Sequence, residues 1–338
     1  MMSLKRIILS RTDSIGDVIL TLPLAGILKK KMPEAEIYFL GRTYTRDVVE
    51  TSKNVDYFID WNEISKLTPE EQESRIETLK ADVIIHVFPV KEIAFLAKKA
   101  NIPLRIGATG RWYHYFACNK LVPLSRRNSG LHEAQLNLKL ALPLTGTLEI
   151  DLYAIPDYYG FSKVLPLKEA DQKRLNTTKF NLILHPKSKG SAREWGLENF
   201  ARLIEILPKD KFEIFITGTK EEGELAKKDL LEKHSHIVDL TGQFSLKELI
   251  GFINGADGLV SASTGPLHIA AALGKHALGI YPPIRPMHPG RWAPLGKQAD
   301  YFVADKTCSK CRKSNQCECM ESISPELVKQ KLLSLVSG

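Results

Sequence analysis

The chain has 338 residues, with 47 Lys and Arg against 39 Asp and Glu, a net charge of +8. Its 43% hydrophobic and 25% charged content excludes disorder and collagen-like fibres, and its length predicts about two domains, each able to bury a core. No window approaches the ~18 apolar residues of a membrane-spanning helix, and the excess of cations points to an anionic partner: nucleic acid, anionic lipid or a phosphorylated small molecule.

From the start of the chain, the apolar run Ile7 to Leu9 is too short for the core of a signal peptide, so a cytoplasmic location is expected. The run from Arg6 to Ser10 reads as a buried parallel strand. Further strands are expected at Ile37 to Leu40, Tyr57 to Ile59, Asp82 to Phe88 and Leu104 to Ile106. Thr68-Pro69-Glu70-Glu71 opens a helix: a cap, a proline at the first position, then acids in the first turn. The segment from Ile155 to Lys179, with Pro156 and Pro166, breaks the pattern, and a linker is expected at 160–178 between a domain at 1–160 and one at 179–323. Strands follow at Asn181 to Leu184, Phe212 to Thr217, Ile237 to Leu240, Gly258 to Ser261 and Ala277 to Tyr281. Helices are expected at Leu197 to Leu207, Glu221 to Lys233, Ser245 to Asn254 and Leu267 to Leu273, and 324–338 forms a last helix. Strands alternating with helices predict two parallel α/β domains, Rossmann-like in plan, with ligands in a cleft at the carboxyl ends of the sheets.

Five segments carry chemistry. Ser10 to Pro23 follows the first strand, and its Asp17 stands at a helix start, where a carboxylate serves either as a helix cap or as a base for an incoming hydroxyl. Pro23 either kinks this helix or starts a second one capped by Thr21. One glycine, Gly16, is not the three-glycine dinucleotide fingerprint. His185 to Trp195 gathers Lys187, Ser188, Lys189, Gly190, Ser191 and Arg193 in one loop, suited to a diphosphate or simply solvated; it is not a Walker loop. Ser261 to Gly274 places Ser263, Thr264, Gly265, Pro266 and His268 at a helix start whose amides suit a phosphate, unless Ser or Thr caps them. Tyr281 to Gly296 is a stiff, proline-rich loop. Cys308, Cys311, Cys317 and Cys319 could supply four thiolates to a structural zinc, although the second pair is tighter than usual spacing.

Gly16-Asp17-Val18 with Leu22-Pro23, Leu131-His132-Glu133, the Lys187 to Trp195 loop, and Ser263 to Gly274 followed by Arg291-Trp292 occur in order from about residue 6 to 330. Together they resemble the ADP-heptose:lipopolysaccharide heptosyltransferases, glycosyltransferase family 9. The resemblance implies a GT-B architecture, two Rossmann-like domains facing across a cleft. It implies inverting transfer of heptose from ADP-L-glycero-D-manno-heptose to a lipopolysaccharide inner-core sugar. Asp17 would be the general base. Lys187, Ser188, Lys189, Arg193, Thr217, Gly218, Glu221 or Glu222, Ser263, Thr264, Gly265, Pro266 and His268 would hold the ADP-sugar donor. Arg11, Thr12, Gly16, Arg111 and Arg126 would hold the acceptor. No metal cofactor is expected for catalysis. The family often has Asp-Thr-Gly where this chain has Ser263-Thr264-Gly265, which leaves the donor open. Another nucleotide-sugar transferase, a GT-B epimerase and a non-catalytic sugar-binding module are the competing readings. Without a recognisable nucleic-acid module, nucleic acid is not expected as a partner. The remaining expectation is an enzyme that visits the inner face of the inner membrane through its acceptor.

Overall fold

In a computed structural model of the chain, residues 4–127, 129–147, 151–285, 287–305 and 317–336 are described. The chain divides into two units, Met1–Lys163 and Val164–Gly338.

The first unit is built on β1 (Arg6–Ser10), β2 (Glu36–Gly41), β3 (Tyr57–Asp60), β4 (Val83–His86), β5 (Leu104–Ala108) and β6 (Lys120–Val122). They form one sheet in the order β3-β2-β1-β4-β5-β6, every pair parallel. The second unit carries β7 (Phe180–His185), β8 (Phe212–Ile216), β9 (Val238–Asp239), β10 (Gly258–Ala262), β11 (His276–Tyr281) and β12 (Ala299–Val303). Their order is β12-β11-β10-β7-β8-β9, again parallel throughout. Both sheets thus wind outward from their first strand, turn back, and add the fourth strand on its other side. This plan leaves a crevice at the carboxyl ends of the first and fourth strands, where ligands bind in such sheets.

The central strands are covered on both faces, which is why they read as unbroken apolar runs: Ile7, Ile8, Leu9, Leu182, Ile183 and Leu184 are all fully buried. The edge strands β6 and β12 escape the sequence reading. The first is only three residues long, and the second is half-exposed, so neither has the apolar run that marks a buried strand. Pro23 starts a new helix. The helix Leu22–Lys31 has Thr21 at its cap and Pro23 in its first turn. The Thr21 hydroxyl donates back to the carbonyl of Asp17 at 2.9 Å.

The residues read as a linker are distributed between the two units. Ser52 donates to the carbonyl of Tyr159 at 2.7 Å, Asn54 to that of Tyr158 at 2.9 Å, and Lys53 N to that of Gly160 at 2.7 Å. A side chain at Gly26 would meet the Tyr158 carbonyl at 2.1 Å, so the helix it sits in needs glycine to lie against this segment. Farther on, Leu165 and Leu167 lie over Gly251 and Gly255 of the second unit. The final helix, Pro325–Leu335, joins the second core: Val328 and Leu332 pack with Trp195, Phe200, Leu203 and Met320. No helix among the described residues is long and apolar enough to cross a membrane.

At the carboxyl end of the first sheet, Ser10 and His86 stand side by side in register. Ser10 Oγ, both His86 ring nitrogens and Nε2 of His114 are buried without a hydrogen-bond partner among the described residues. Burial, then the nearby His114 and Arg105, pushes the His86 pKa down to about 3. His86 is therefore neutral in the folded chain and takes up a proton near pH 6.5 on unfolding, so folding stability is lost as pH falls below about 6.5. Replacing His86 by Leu is expected to reduce the slope of unfolding free energy against pH by about one proton, ~1.4 kcal/mol per pH unit, between pH 6.5 and 3. Denaturant titrations across that range measure it, and an unchanged slope would reject the assignment.

Candidate active site

β1 ends at Ser10, and the next residue, Arg11, is 2% exposed. A charge so deeply buried demands partners. Arg11 has four. Its Nε donates to Asp13 Oδ1 at 2.6 Å and its Nη2 to Asp17 Oδ1. Its Nη1 donates to Glu133 Oε1 at 3.1 Å and to Asn137 Oδ1 at 3.2 Å. Burial works against the Arg11 charge, but Asp13, Asp17 and Glu133 together outweigh it, and the guanidinium pKa rises above its ordinary value. Asp17 lies in the first turn of the helix Ile15–Ile19, together with Gly16. Its second oxygen accepts from the Ser14 hydroxyl. The carboxylate is thus aimed from both sides while 17% of the side chain stays open to solvent. Asp17 therefore does not act as the helix cap; that position is Ser14, whose side chain turns to Asp17 and caps nothing.

The helix Glu133–Lys139 supplies the far wall. His132 caps it with a full capping box, which directs the buried Glu133 and Asn137 at Arg11. Arg126 joins the same cluster: Nε to Glu133 at 2.9 Å, Nη2 to Asn137 and to the carbonyl of Val87 at 3.0 Å each. The structure so brings Arg11, Asp17 and Arg126 together. Thr12 is buried beside Arg11, and Arg111 lies exposed in the turn after β5. Asp13, Glu133 and Asn137 are cluster members that the sequence reading gave no role. The signal for Asp13 was its two-residue spacing from a cation at a strand end. Burial pushes the Asp13 pKa up to about 6, with Asp17 adding to the rise and Arg11 opposing it.

In the second unit, β7 lies between β10 and β8, so the loops after these three strands share one edge of the sheet. The loop after β7 turns at Lys189 and Gly190, whose φ angles are +51° and +79°. Glu194, which the sequence reading passed over, is its lock. It accepts from Lys187 Nζ at 2.5 Å, from Ser188 N at 3.0 Å and from Ser188 Oγ at 3.1 Å. Trp195 anchors the loop's end, fully buried, its Nε1 donating to the carbonyl of Ile323 at 2.9 Å. Lys189 is exposed and Arg193 half-buried.

The loop after β8 is tied to the first: His185 Nδ1 and Thr217 Oγ1 are 3.0 Å apart. Gly218 leads into the helix Lys220–Ala226, where Glu222 closes a capping box with Thr219. Of the two acids, Glu222 is engaged in that cap and Glu221 is exposed. Glu221's own backbone amide and the Thr219 hydroxyl hold its carboxyl below the usual range, and Lys189 adds to the effect.

After β10 comes the helix Gly265–Ala272, with Pro266 in its first turn and His268 buried behind it. Thr264 is the cap residue, extended at φ −114° and ψ 165°, yet its side chain makes no capping bond. Its hydroxyl instead pairs with Ser261 Oγ at 2.8 Å. The amides of Gly265 and Leu267 therefore have no side-chain cap, while that of His268 donates to the Thr264 carbonyl at 3.4 Å. Ser263, where the family often has Asp, hydrogen-bonds the buried phenol of Tyr281. Tyr281 in turn donates to the carbonyl of Trp292 at 2.6 Å.

Cys317 and Cys319 are buried in the second core, while Cys308 and Cys311 lie outside the described residues. Among the described residues no three His, Cys, Asp or Glu side chains group as a metal site.

The Asp13 position yields a pH prediction. Below about pH 6 Asp13 takes a proton and releases its share of the Arg11 guanidinium. Asp17 and Glu133 then hold the guanidinium without it. The expectation is an acid limb in kcat/KM near pH 6, removed in Asp13→Asn, with a lower plateau. A limb that persists unchanged in this variant would assign it to another group.

The sequence model of glycosyltransferase family 9 (heptosyltransferase) matches residues 74–320. Lipooligosaccharide heptosyltransferase 2 of Haemophilus ducreyi is 31% identical over 159 residues, 44% of this chain and 45% of that protein. The solved structure of E. coli ADP-heptose lps heptosyltransferase II superposes with a TM-score of 0.76 at 18% identity, over 98% of both chains. That of E. coli heptosyltransferase WaaC with ADP-2-deoxy-2-fluoro heptose gives 0.70 at 18%, over 98% of this chain and 99% of that one. With two parallel six-stranded sheets of the GT-B kind and a family match across most of its length, this chain belongs to glycosyltransferase family 9, the heptosyltransferases, and is a glycosyltransferase.

Proposed function

We propose that the enzyme transfers heptose from ADP-L-glycero-D-manno-heptose to an inner-core sugar of lipopolysaccharide, inverting the anomeric carbon. The observation that carries the donor half is the helix start at Thr264 and Gly265, left without a side-chain cap beside a cationic loop. A diphosphate satisfies those amides, with Lys189 and Arg193 adjoining. The relative solved with an ADP-heptose analogue supports the same donor class.

The acceptor half rests on Asp17. Its carboxylate accepts the proton of the acceptor hydroxyl as that oxygen bonds to the anomeric carbon. The bond from that carbon to the β-phosphate oxygen breaks, and ADP leaves with the electron pair. Arg11 and Ser14 hold Asp17 in one orientation, so no reorganisation is needed at the moment of transfer. On the donor side, positive charge from the loop cations and the helix start offsets the charge growing on the leaving diphosphate. Catalysis on this reading needs no divalent metal. The working place is the cytoplasmic face of the inner membrane, where a glycolipid acceptor is presented. A structural zinc on the four cysteines stays a proposal on the same footing.

Ser263 favours a second reading, a different nucleotide-sugar donor, because a carboxylate there would contact a donor hydroxyl that serine holds differently. Incubating the protein with ADP-heptose, a UDP-sugar or a GDP-sugar and a panel of truncated core acceptors, read by mass spectrometry, distinguishes the two: a product only with a UDP- or GDP-sugar would select the second. Asp17→Asn should lower turnover ~10²–10⁴-fold with donor binding retained; a near-normal rate would reject the base. Transfer should survive EDTA, and complete loss restored by magnesium would overturn the metal-independent mechanism.

A further inference from the structure

Between Lys91 and Arg127 the chain carries eight Lys and Arg and one acid, Glu92. That is a net +7 in 37 residues, against +8 for the whole chain. The excess charge is concentrated in one stretch of the first unit. In the middle of it, after β5, the segment 111–118 alternates anchors with exposed rings. Tyr113, His114, Ala117 and Cys118 are buried, while Trp112, Tyr115 and Phe116 are 64%, 59% and 63% exposed. The other exposed large hydrophobics among the described residues are scattered; here three fall within five residues. The rings form a small surface: Trp112 meets Phe116 edge-on, centroids 6.1 Å apart. Cations frame it. Lys91 Nζ stands 5.4 Å from the Trp112 ring centroid, and Lys98 donates to the carbonyl of Phe116 at 3.0 Å. Arg111, next to Trp112 in the chain, is exposed, as are Lys99 and Lys120.

Exposed indole, phenol and phenyl rings carry an unfavourable hydration cost in water that a bilayer interface relieves, and nearby cations are attracted to anionic headgroups. A second copy of the chain would bring +7 against +7, and like charge opposes that occupant. We propose that Trp112, Tyr115 and Phe116, with Lys91, Lys98 and Arg111 beside them, form the surface by which this enzyme docks on an anionic lipid bilayer. The inference rests on the reading that the acceptor is lipid-anchored, and it names the part of the fold that meets the lipid.

The test is cosedimentation of the full chain with sucrose-loaded vesicles containing no acceptor sugar, either phosphatidylcholine alone or with about one-third phosphatidylglycerol. The wild type should favour the anionic vesicles about tenfold or more, with the preference lost at high salt. The variant Trp112→Ser/Tyr115→Ser/Phe116→Ser should lower the partition coefficient about tenfold, with an unchanged circular dichroism spectrum and melting temperature. The charge reversal Lys91→Glu/Lys98→Glu should abolish the anionic preference alone. Wild-type partitioning by the triple variant, or no vesicle binding by the wild type, would overturn the proposal. So would a dimer in sedimentation velocity that the triple variant dissolves while vesicle binding is unaffected. Because vesicle binding is read without turnover, its failure leaves the transfer reading standing, and absence of transfer with every donor leaves vesicle binding as it was.

Discussion

A guanidinium that cannot reach water organises the first unit. Arg11 leaves the end of the central strand and is 2% exposed, so its charge has to be met within the protein. Three carboxylates and an amide from the strand–helix turn and the helix Glu133–Lys139 converge on it. Arg126 then offsets the surplus negative charge on Glu133. The consequence is geometric. Asp17 is held on one guanidinium nitrogen, its other oxygen on Ser14, in the first turn of a short helix that would not hold a side chain so firmly unaided. Lysine in place of Arg11 would carry the charge without the planar fork that serves several partners at once.

In the second unit one helix start leaves its side-chain cap unmade. Several helix starts described here are capped by a side chain: Thr68, Thr219, Ser245 and Ser324 all close such bonds. Thr264 spends its hydroxyl on Ser261 instead. The loop after β7 shows the complementary economy, since Glu194 satisfies Lys187 and Ser188 and so shapes the loop before any ligand arrives. Lys189 and Arg193, the other cations, lie outside that lock.

Much of the fold was legible because parallel strands buried on both faces have to be apolar throughout. Ile7 to Leu9 and Leu182 to Leu184 announce themselves for that reason, and the caps at Thr68 and Ser245 mark helix starts by local chemistry alone. The edge strands β6 and β12 do not, because one face of an edge needs no apolar run. The segment around residues 155–178 looked like a tether because its prolines and tyrosines have no period. Its backbone carbonyls are in fact bound by Ser52, Asn54 and Lys53, partners more than a hundred residues away.

By itself the sequence determined two α/β units, most of their elements in order and the two motif-bearing loops. These follow from periodicities and residue types that act over a few positions. Only the tertiary structure decided that Glu133, Asn137 and Arg126 belong with Arg11 and Asp17. That outcome depends on which hydrogen-bond partner lies closest once distant segments are packed, and a burial penalty for an unpaired charge has no local signature along the chain.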